Sequence, residues 1–439
     1  MKNIYKISLK VLAAYFLFNC FYSNAQLTVM AVGNYTVGGV SDNGVVSMHT
    51  GGGGIFKWDA VNGLVSIGSL TNGYPQAGRT LVSNDGMKIG STMTNGATNF
   101  NEISTYDVAT STWTNQGGLV STGWDGSVSS TWGMTPAGNT LVGLGWLTGA
   151  TAHAVKWTPQ GGVVDLGSMV AERSSRANAV NTDGTVIVGW QDEIDGTRSG
   201  AKWVNGVESF ITDTSGNNVG EAGAVSADGN TIIGSAMPNP YVWNSTSGLT
   251  YIIHPNSSAF FRGGATGISA DGGTVIGFFR PFPGPPMAGE GFIWTMAGGR
   301  VNLNDFSVSL GIATNGVTMS LPLAISQDGK KIAGIGTNSS GQVVAFYLDL
   351  TQYLSANDIV KAEHDISIYP NPVKDILYIK KGKEKIEKAE IYNMVGQKVR
   401  TFSSVESQID VSSLSKGNYV LNLLFVKGEV SQSFTFIRQ

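Results

Sequence analysis

The sequence predicts an all-β protein that consists of a long repeat domain followed by a small β-sandwich. Three observations lead to this prediction. Glycine accounts for 59 of the 439 residues, roughly twice its usual share, whereas charged residues make up only 13%. A short glycine-containing motif recurs along residues 30–350. The density of charge rises near residue 361, where we place the boundary between the two domains.

The N-terminal segment, residues 1–25, has the pattern of a secretory signal peptide. Three lysines precede an apolar run at residues 11–18, and small residues stand three and one positions before the predicted cleavage site between Ala25 and Gln26. The single cysteine, Cys20, lies inside this segment, so neither disulfides nor cysteine metal sites are expected in the mature chain. A lipoprotein that begins at Cys20 is the alternative, but Asn19 stands where a small residue is required.

Charge and hydropathy exclude two classes of partner. The formal net charge is −3, which provides no concentrated basic field for nucleic acid or anionic lipid. No stretch after the N-terminal segment approaches twenty apolar residues, so no membrane span is expected.

The repeat motif occurs seven times, and a second landmark follows each copy. Examples of the motif are LVSNDGMKIG, AVNTDGTVIVG and AVSADGNTIIG. An aromatic residue follows 14 to 22 positions after each motif glycine. The glycines are Gly44, Gly86, Gly138, Gly184, Gly229, Gly272 and Gly329, and the aromatic residues are Trp58, Tyr106, Trp157, Trp203, Trp243, Trp294 and Tyr347. We interpret the five tryptophans among them as core packing.

Each repeat contains four short runs that are typical of β-strands. Asp-Gly between β-branched runs predicts a type I′ hairpin turn, because glycine accepts a positive φ. Four strands in about 45 residues match one blade of a β-propeller, so residues 26–355 are expected to form a seven-bladed propeller. The segment at residues 27–33 could supply the fourth strand that the last repeat lacks. A β-helix or a pair of smaller sheets remains the alternative.

One repeat carries a family resemblance. The segment HAVKWTPQGGVVDLGSM at residues 153–169 resembles the HAF family of extracellular repeats, in which His-Ala-Phe is followed by Trp and Asp-Leu-Gly. Only this repeat keeps the histidine, and Val155 replaces the phenylalanine. The resemblance supports an extracellular repeat domain and implies no particular activity.

After a linker at residues 356–364, residues 365–439 predict a small Ig-like β-sandwich, because alternating strands are separated by Pro, Asn-Pro and Gly turns. They also resemble the type IX secretion sorting domain in three motifs: YPNP, IYNMVGQKV at 391–399 and LSKGNYVLNL at 414–423. The chain ends in Arg438 and Gln439, where that family more often has lysine. The motif residues are Tyr369, Pro370, Asn371, Pro372, Gly396 and Gly417.

The sorting resemblance implies a route and two partners. A type IX translocon would read the domain, and a sortase-like protease would cut upstream of it, so that the cargo is secreted or anchored at the outer cell surface. An accessory Ig-like domain without a sorting role is the alternative.

Catalytic and metal-binding templates do not occur in the sequence. There is no Gly-x-Ser-x-Gly elbow, no His-Glu-x-x-His and no phosphate loop, and the histidines at 49, 153, 254 and 364 lie in separate segments. We interpret His153 as a local packing or hydrogen-bonding residue and the Asp-Gly pairs as turns rather than calcium loops. We therefore predict no catalytic residue, no metal and no cofactor.

A binding surface is predicted from aromatic residues that follow the second strand of three repeats. If equivalent loops emerge on one face, these rings meet there with charged neighbours, as a ligand site requires. The alternative is that the rings are packed between blades. The residues of this predicted site are Trp146, Trp190, Phe278, Phe279, Asp192, Glu193, Arg198 and Arg280. Asp192, Glu193 and Asp195 are either a solvated loop, a calcium site or a carboxylate pair.

Two functions remain open at this point. The first is a non-catalytic exported propeller that binds glycan, polymer or protein. The second is a secreted polysaccharide hydrolase or lyase that uses carboxylates on one face. Acids paired across neighbouring blades would favour the enzyme, whereas a face with exposed aromatic rings would favour binding.

Overall fold

A computed structural model describes residues 26–71, 78–124, 126–353, 367–380, 386–393, 398–425 and 432–439. The predicted linker and residues 1–25 lie outside these ranges. Within them the protein is almost entirely β-structure, as the glycine-rich, weakly charged composition predicts. None of the described helices has the length and apolar character that crossing a membrane requires.

The repeat region is a succession of short strands with a few small helical segments. The strands are β1 (Leu27–Val32), β2 (Tyr35–Val40), β3 (Val46–Thr50), β4 (Gly54–Asp59), β5 (Gly63–Ser69), β6 (Leu81–Val82), β7 (Lys88–Thr94), β8 (Asn101–Asp107), β9 (Thr112–Asn115), β10 (Ser129–Met134), β11 (Leu141–Trp146), β12 (Ala152–Thr158), β13 (Gly162–Asp165), β14 (Ser175–Val180), β15 (Val186–Asp192), β16 (Arg198–Val204), β17 (Val207–Phe210), β18 (Ala222–Val225), β19 (Thr231–Ala236), β20 (Asn239–Asn244), β21 (Gly248–Tyr251), β22 (Phe261–Ile268), β23 (Thr274–Pro281), β24 (Glu290–Thr295), β25 (Gly299–Asn302), β26 (Thr318–Ile325), β27 (Lys331–Thr337) and β28 (Val343–Asp349). A 3-10 helix spans Pro286–Ala288, and α1 spans Leu303–Ser309.

These strands form seven antiparallel sheets of four strands each within the described residues. Sheets 1 to 6 each consist of four consecutive strands. In order they are β2–β5, β6–β9, β10–β13, β14–β17, β18–β21 and β22–β25. Sheet 7 combines β26, β27 and β28 with β1. The first strand of each sheet contacts the first strand of the next, and β26 contacts β2. The sheets therefore make a closed, propeller-like ring with the first strands at its centre.

The strand β1 joins the two ends of the repeat region. It pairs with β28 from Leu27 opposite Leu348 to Val32 opposite Val344. The prediction that residues 27–33 supply the missing fourth strand is confirmed. Because β1 covers the edge of β28, the last sheet presents no unpaired third strand to solvent.

The repeat motif forms the turn between the first and second strands of a sheet. In the second repeat the N–H of Gly86 donates to the Ser83 carbonyl at 2.8 Å, and the Ser83 hydroxyl donates to Asp85 at 2.6 Å. The Asp85 carboxylate also accepts the Met87 N–H at 3.0 Å. Similar Ser-Asp contacts occur in three further repeats. The interpretation of these aspartates as turn residues is therefore confirmed.

The predicted turn type is wrong. A type I′ turn needs positive φ at both central residues, but the central residues Asn84 and Asp85 have none, and the positive φ of 71° is at Gly86, which follows them. The aspartate instead keeps a negative φ and uses its side chain to accept backbone N–H groups. Its pKa at Asp85, Asp228 and Asp271 is lowered chiefly by the serine hydroxyl that donates to it.

Neighbouring turns are hydrogen-bonded to one another around part of the ring. The Asn84 side chain donates to Asp42 at 2.8 Å, and the Ala227 N–H donates to the Ala270 carbonyl at 2.9 Å. The N–H of Asp328, in the last repeat, donates to Asp42 in the first at 3.0 Å. The turns thus contribute to closure of the ring as well as to each hairpin.

Apolar clusters lie between consecutive sheets. Most of the aromatic residues that follow the motif are buried in these clusters, including Trp58, Trp157, Trp203 and Trp294. Trp58 contacts Tyr347 across the junction of sheets 1 and 7, with ring centroids 5.1 Å apart. The interpretation as core is confirmed for these four tryptophans, whereas Trp243 is only partly buried against a cluster.

The C-terminal region contains two sheets. Its strands are β29 (Ser367–Tyr369), β30 (Ile376–Lys380), β31 (Ile386–Asn393), β32 (Lys398–Val405), β33 (Gln408–Asp410), β34 (Gly417–Phe425) and β35 (Gln432–Arg438). One sheet has the order β29-β30-β33 and the other β32-β31-β34-β35. Residues of both sheets, such as Leu377 and Leu421, share one apolar core.

Candidate functional site

The strand order gives the ring two different faces. We call the face with the Ser-Asp-Gly turns the turn face. The opposite face, the loop face, carries the loops between second and third strands, such as 193–197 and 282–289, and the connections between sheets, such as 166–174 and 252–260. Because neighbouring strands are antiparallel, both kinds of link lie at the same end of the strands. Residues from distant repeats can therefore meet on the loop face.

Two of the aromatic residues predicted to be exposed are buried. Trp190 is only 3% exposed, because the Arg198 guanidinium lies 3.6 Å from its ring centroid and Arg176 lies 5.1 Å from it. Phe279 is 0% exposed, because it packs against Phe261 and Phe292 in a core cluster. The prediction that these rings are exposed on a common surface is wrong.

The other predicted residues fall into two separate groups. Trp146 is half-buried at the end of β11 in sheet 3. Phe278 is half-buried in sheet 6, and the Arg280 guanidinium lies 5.8 Å from its ring centroid. Sheet 5 lies between sheets 4 and 6 in the ring, so the residues near Trp190 and those near Phe278 do not form one patch.

The predicted acidic residues do not converge on a common point. Asp192 pairs with Arg198 at 3.2 Å, and Glu193 accepts a hydrogen bond from Asn218 at 3.1 Å. Asp195 accepts a backbone N–H of its own loop, which lowers its pKa. Across the described ranges, no three His, Cys, Asp or Glu side chains are grouped in a way that could hold a metal ion.

Aromatic and cationic side chains alternate at the loop-face end of sheets 3 and 4. Arg176 stacks on Trp132 with 3.5 Å between guanidinium carbon and ring centroid, and Trp190 and Arg198 continue the series. We call Trp132, Arg176, Trp190 and Arg198 the Trp-Arg stack. Each such cation-π contact contributes about 0.5–2 kcal/mol. Sequence reasoning found Trp190 and Arg198 but missed Trp132 and Arg176, which lie on first strands of the ring.

Glu221 of the sheet 4–5 connection pairs with both arginines of the stack. Its carboxylate lies 2.9 Å from Arg176 Nη2 and 3.9 Å from Arg198 Nη1, and it accepts the Asn178 side chain at 2.9 Å. Burial lowers the pKa of Arg176 to about 10, although Glu221 opposes this effect. The stack is therefore held by charge pairs as well as by ring contacts.

An exposed apolar surface lies elsewhere on the loop face, between sheets 5 and 6. Phe260, Met237 and Phe282 are 74%, 71% and 44% exposed. The Phe282 N–H donates to the Phe260 carbonyl at 2.8 Å. Arg262 lies 4.0 Å from the Phe282 ring centroid and donates to the Met237 sulfur at 3.1 Å. We call Met237, Phe260, Arg262 and Phe282 the apolar patch.

Sequence reasoning missed the apolar patch. The signal that could have found it is aromatic residues in links where polar residues are usual, in SSAFFRGG and FFRPFPGPP. The prediction instead selected Phe278 and Phe279, which belong to β23 itself and are partly or fully covered.

Two histidines hold acidic partners. His153 Nδ1 lies 3.0 Å from both carboxylate oxygens of Asp165, which confirms that this repeat-specific histidine has a local role. His254 Nε2 lies 3.2 Å from Glu290 and its Nδ1 accepts the Asn256 N–H at 3.0 Å. Burial lowers the pKa of His254, and Glu290 opposes this effect.

His49 is the third described histidine of the predicted set. It lines a cavity of about 10 Å³, about the size that one water requires. Burial and the nearby Arg79 lower the pKa of His49 to about 4. His364 lies outside the described residues.

The YPNP motif connects the two sheets of the C-terminal region. Asn371 accepts the N–H of Ile437 on the last strand at 2.9 Å, and the Val373 N–H donates to the Ile437 carbonyl at 2.8 Å. The Tyr369 ring stacks on Tyr378, with centroids 5.6 Å apart. The peptide bonds before Pro370 and Pro372 are cis.

Other predicted sorting and processing residues are only partly described. Arg438 donates to the Val411 carbonyl at 3.1 Å, and Gly417 begins β34. Gly396 and Ala25 lie outside the described residues. The Gln26 carbonyl accepts the N–H of Asp349 at 2.7 Å, beside the β1–β28 pair.

Residues 367–436 match the family described as the secretion system C-terminal sorting domain. This domain implies export to a secreted or cell-surface location and handling by the type IX secretion machinery. No curated protein matches the chain in sequence.

Several solved structures are similar to the chain at low identity. One is the β-propeller domain of the Trilobed protease from Pyrococcus furiosus, with 14% identity, 73% of this chain and 96% of that chain covered and a TM-score of 0.48. TolB from Acinetobacter baumannii shows 13% identity, 61% and 63% coverage and a TM-score of 0.40. The chain thus spans less than two thirds of that TolB chain. A mitotic checkpoint complex chain shows 13% identity, 73% and 90% coverage and a TM-score of 0.43.

Proposed function

We propose that the protein is an exported, non-catalytic binding protein whose loop face takes a glycan, a polymer or another protein. In this proposal residues 26–355 are a seven-bladed propeller related to HAF repeats, and residues 365–439 are an Ig-like sorting domain. The observation that carries the proposal is the apolar patch. Exposed aromatic rings that lie together beside a cation are typical of ligand or partner sites.

The geometry of the patch supports recognition rather than chance exposure. The hydrogen bond between Phe282 and Phe260 holds two different links together. Arg262 bridges Phe282 and Met237, so these two side chains have a defined arrangement before a ligand arrives. A preorganised surface loses less conformational entropy on binding.

The enzyme alternative has less support. The hydrolase hypothesis requires two acids that are paired across neighbouring sheets. Asp192 and Glu221 meet this condition, because both pair with Arg198. Both carboxylates are occupied by arginine. A general acid for glycoside cleavage needs a raised pKa, which a neighbouring cation opposes.

The sorting domain and the binding domain play successive roles in the proposal. The N-terminal segment takes the chain to the periplasm, and the type IX translocon then reads residues 365–439. A sortase-like protease cuts upstream of this domain. The repeat domain then remains outside the cell, either released or attached to the surface.

The binding proposal is tested by removing the exposed rings. We expect the double variant Phe260→Ala, Phe282→Ala to lose about tenfold or more of the affinity for any ligand that a glycan array or pull-down identifies for the full chain. The melting temperature should change little, because the removed rings are largely exposed. The matched control is Tyr251→Ala, which removes an exposed ring from β21. Equal binding by the double variant and the wild type would refute a role for the patch.

A further inference from the structure

Arg79 is a cation near the centre of the ring that has no direct ion pair among the residues that the structure describes. It is half-buried, its guanidinium has no hydrogen-bond acceptor among those residues, and burial lowers its pKa although the charge of Glu221 opposes this effect. Buried or half-buried charges normally have a partner, because an unpaired charge loses hydration without compensation. This guanidinium therefore stands out among the charged groups of the ring.

The backbone fixes the position of Arg79. Its N–H donates to the Thr131 carbonyl of β10 at 2.8 Å, and it comes shortly before β6. Gly78 allows this approach, because a Cβ there would lie 1.9 Å from the Thr131 oxygen. Arg79 thus lies at the loop-face ends of the first strands, which line the centre of the ring.

Arg176 supplies a second donor in the same region. Its Nε donates to Asn178 at 2.8 Å and its Nη2 to Glu221 at 2.9 Å, while its Nη1 makes no hydrogen bond to the described residues. Stacking on Trp132 holds the guanidinium plane in place. The free Nη1 is therefore a fixed donor.

Cations outnumber anions among the described groups that act on Arg176. Glu221 pairs with Arg176 and Arg198 and acts on Arg79, and Asp192 pairs with Arg198. Within this described set, three arginines are accompanied by two carboxylates. Repulsion from Arg79 contributes to the lowered pKa of Arg176, and a bound anion would relieve it.

We infer that the opening of the ring at the loop face binds an oxyanion group of a ligand, a carboxylate, sulfate or phosphate, through Arg79 and the free Nη1 of Arg176. Guanidinium groups suit this role because their planar donors match two oxygens of one group. The inference is independent of the apolar patch, since it uses different residues of different sheets.

The test compares charged and neutral polymers with the full chain by affinity electrophoresis. Polygalacturonate, dextran sulfate and polyphosphate offer the three oxyanions, and neutral dextran offers none. We expect at least one charged polymer to retard the wild type and neutral dextran not to. The polymer that binds identifies the source of the oxyanion. Retardation by none of them, or equally by dextran, would overturn the inference.

Variants distinguish a specific site at Arg79 from a general attraction between charges. Arg79→Gln should weaken binding by about tenfold, the loss expected for a charged hydrogen-bond donor, while Arg79→Lys should retain part of it. Arg173→Gln removes the same charge from a loop-face connection and should bind like the wild type. Equal losses in Arg79→Gln and Arg173→Gln would also overturn the inference.

Two measurements keep the variant result interpretable. If Arg79→Gln does not fold, the comparison of Arg79→Lys with Arg173→Gln decides in its place. The variant Phe260→Ala, Phe282→Ala should still bind the charged polymer. Loss of charged-polymer binding in Phe260→Ala, Phe282→Ala but not in Arg79→Gln would overturn the oxyanion inference and leave the apolar patch proposal standing.

Discussion

Glu208 lies on β17 opposite Trp203, and one of its carboxylate oxygens is buried without a hydrogen-bond partner among the described residues. The Trp203 indole N–H is also buried and has no hydrogen-bond partner among the described residues. Burial raises the pKa of Glu208 to about 7, although the Met169 backbone donates a hydrogen bond that opposes this. At neutral pH this side chain therefore titrates in the folded protein, whereas in the unfolded chain it is ionised.

The raised pKa of Glu208 predicts a pH-dependent cost to stability. The folded state binds this proton more tightly than the unfolded state, so the stabilising effect is complete below a pH of about 4.5 and is lost as pH rises through 7. We expect Glu208→Gln to raise the melting temperature at pH 8 and to change it little at pH 5. Calorimetry at both pH values measures this, with the exposed Glu172→Gln as control. The same shift at both pH values would show that titration is not the cause.

Closure of the ring depends on one element, β1. Its residues Leu27 and Met30 are buried in the clusters at the junctions of sheet 7. Without it, β28 would present free N–H and C=O groups along a strand that contains buried Phe346 and Leu348. Such an edge invites pairing with another chain.

Deletion of residues 27–32 should therefore destabilise the ring and promote self-association. Loss of each buried apolar side chain costs about 2–5 kcal/mol. We expect the melting temperature to fall by about 5 °C or more and oligomers to appear in size-exclusion chromatography. The control is Val29→Thr, which changes an exposed side chain and keeps the strand. A monomeric deletion variant of unchanged stability would contradict this role of β1.

At the scale of the whole molecule, two parts of the chain carry separate tasks. The ring of sheets has its own apolar clusters, and the C-terminal sheets share a different one. Because the cores are separate, we expect the C-terminal sheets to be removable without unfolding the ring. The same separation makes the address testable without loss of the repeat domain.

Deletion of residues 365–439 should leave the repeat domain in the periplasm. The reason is that the translocon then has no sorting domain to read. Cell fractionation and immunodetection measure the location, and a melting curve of the truncated protein shows whether the ring remains folded. The point variant Asn371→Ala, which removes the acceptor of the Ile437 N–H, should reduce export without abolishing it. Unchanged export after the deletion would refute the sorting role.

The repeats, the four strands in each, the closing strand and the sorting motifs were all predictable from the sequence. The reason is that each depends on local patterning: a glycine at positive φ after Asp, β-branched alternation and an aromatic residue that recurs after each motif glycine. The turn type was predicted incorrectly, because the hydrogen bonds of the Asp side chain compete with the type I′ geometry.

The binding surface, in contrast, was decided by tertiary structure. Phe278 and Phe279 are neighbours in sequence but lie on opposite sides of β23, and only packing against Phe292 determines which of them is buried. Trp190 is covered by arginines from its own sheet. Phe260 and Phe282 meet because they flank the paired strands β22 and β23, and Arg79 of sheet 2 meets Thr131 of sheet 3 because first strands are neighbours around the ring. By itself the sequence determined the repeat architecture and the export address. The closed ring decided which side chains remain available to a ligand, because burial depends on neighbours that are distant along the chain.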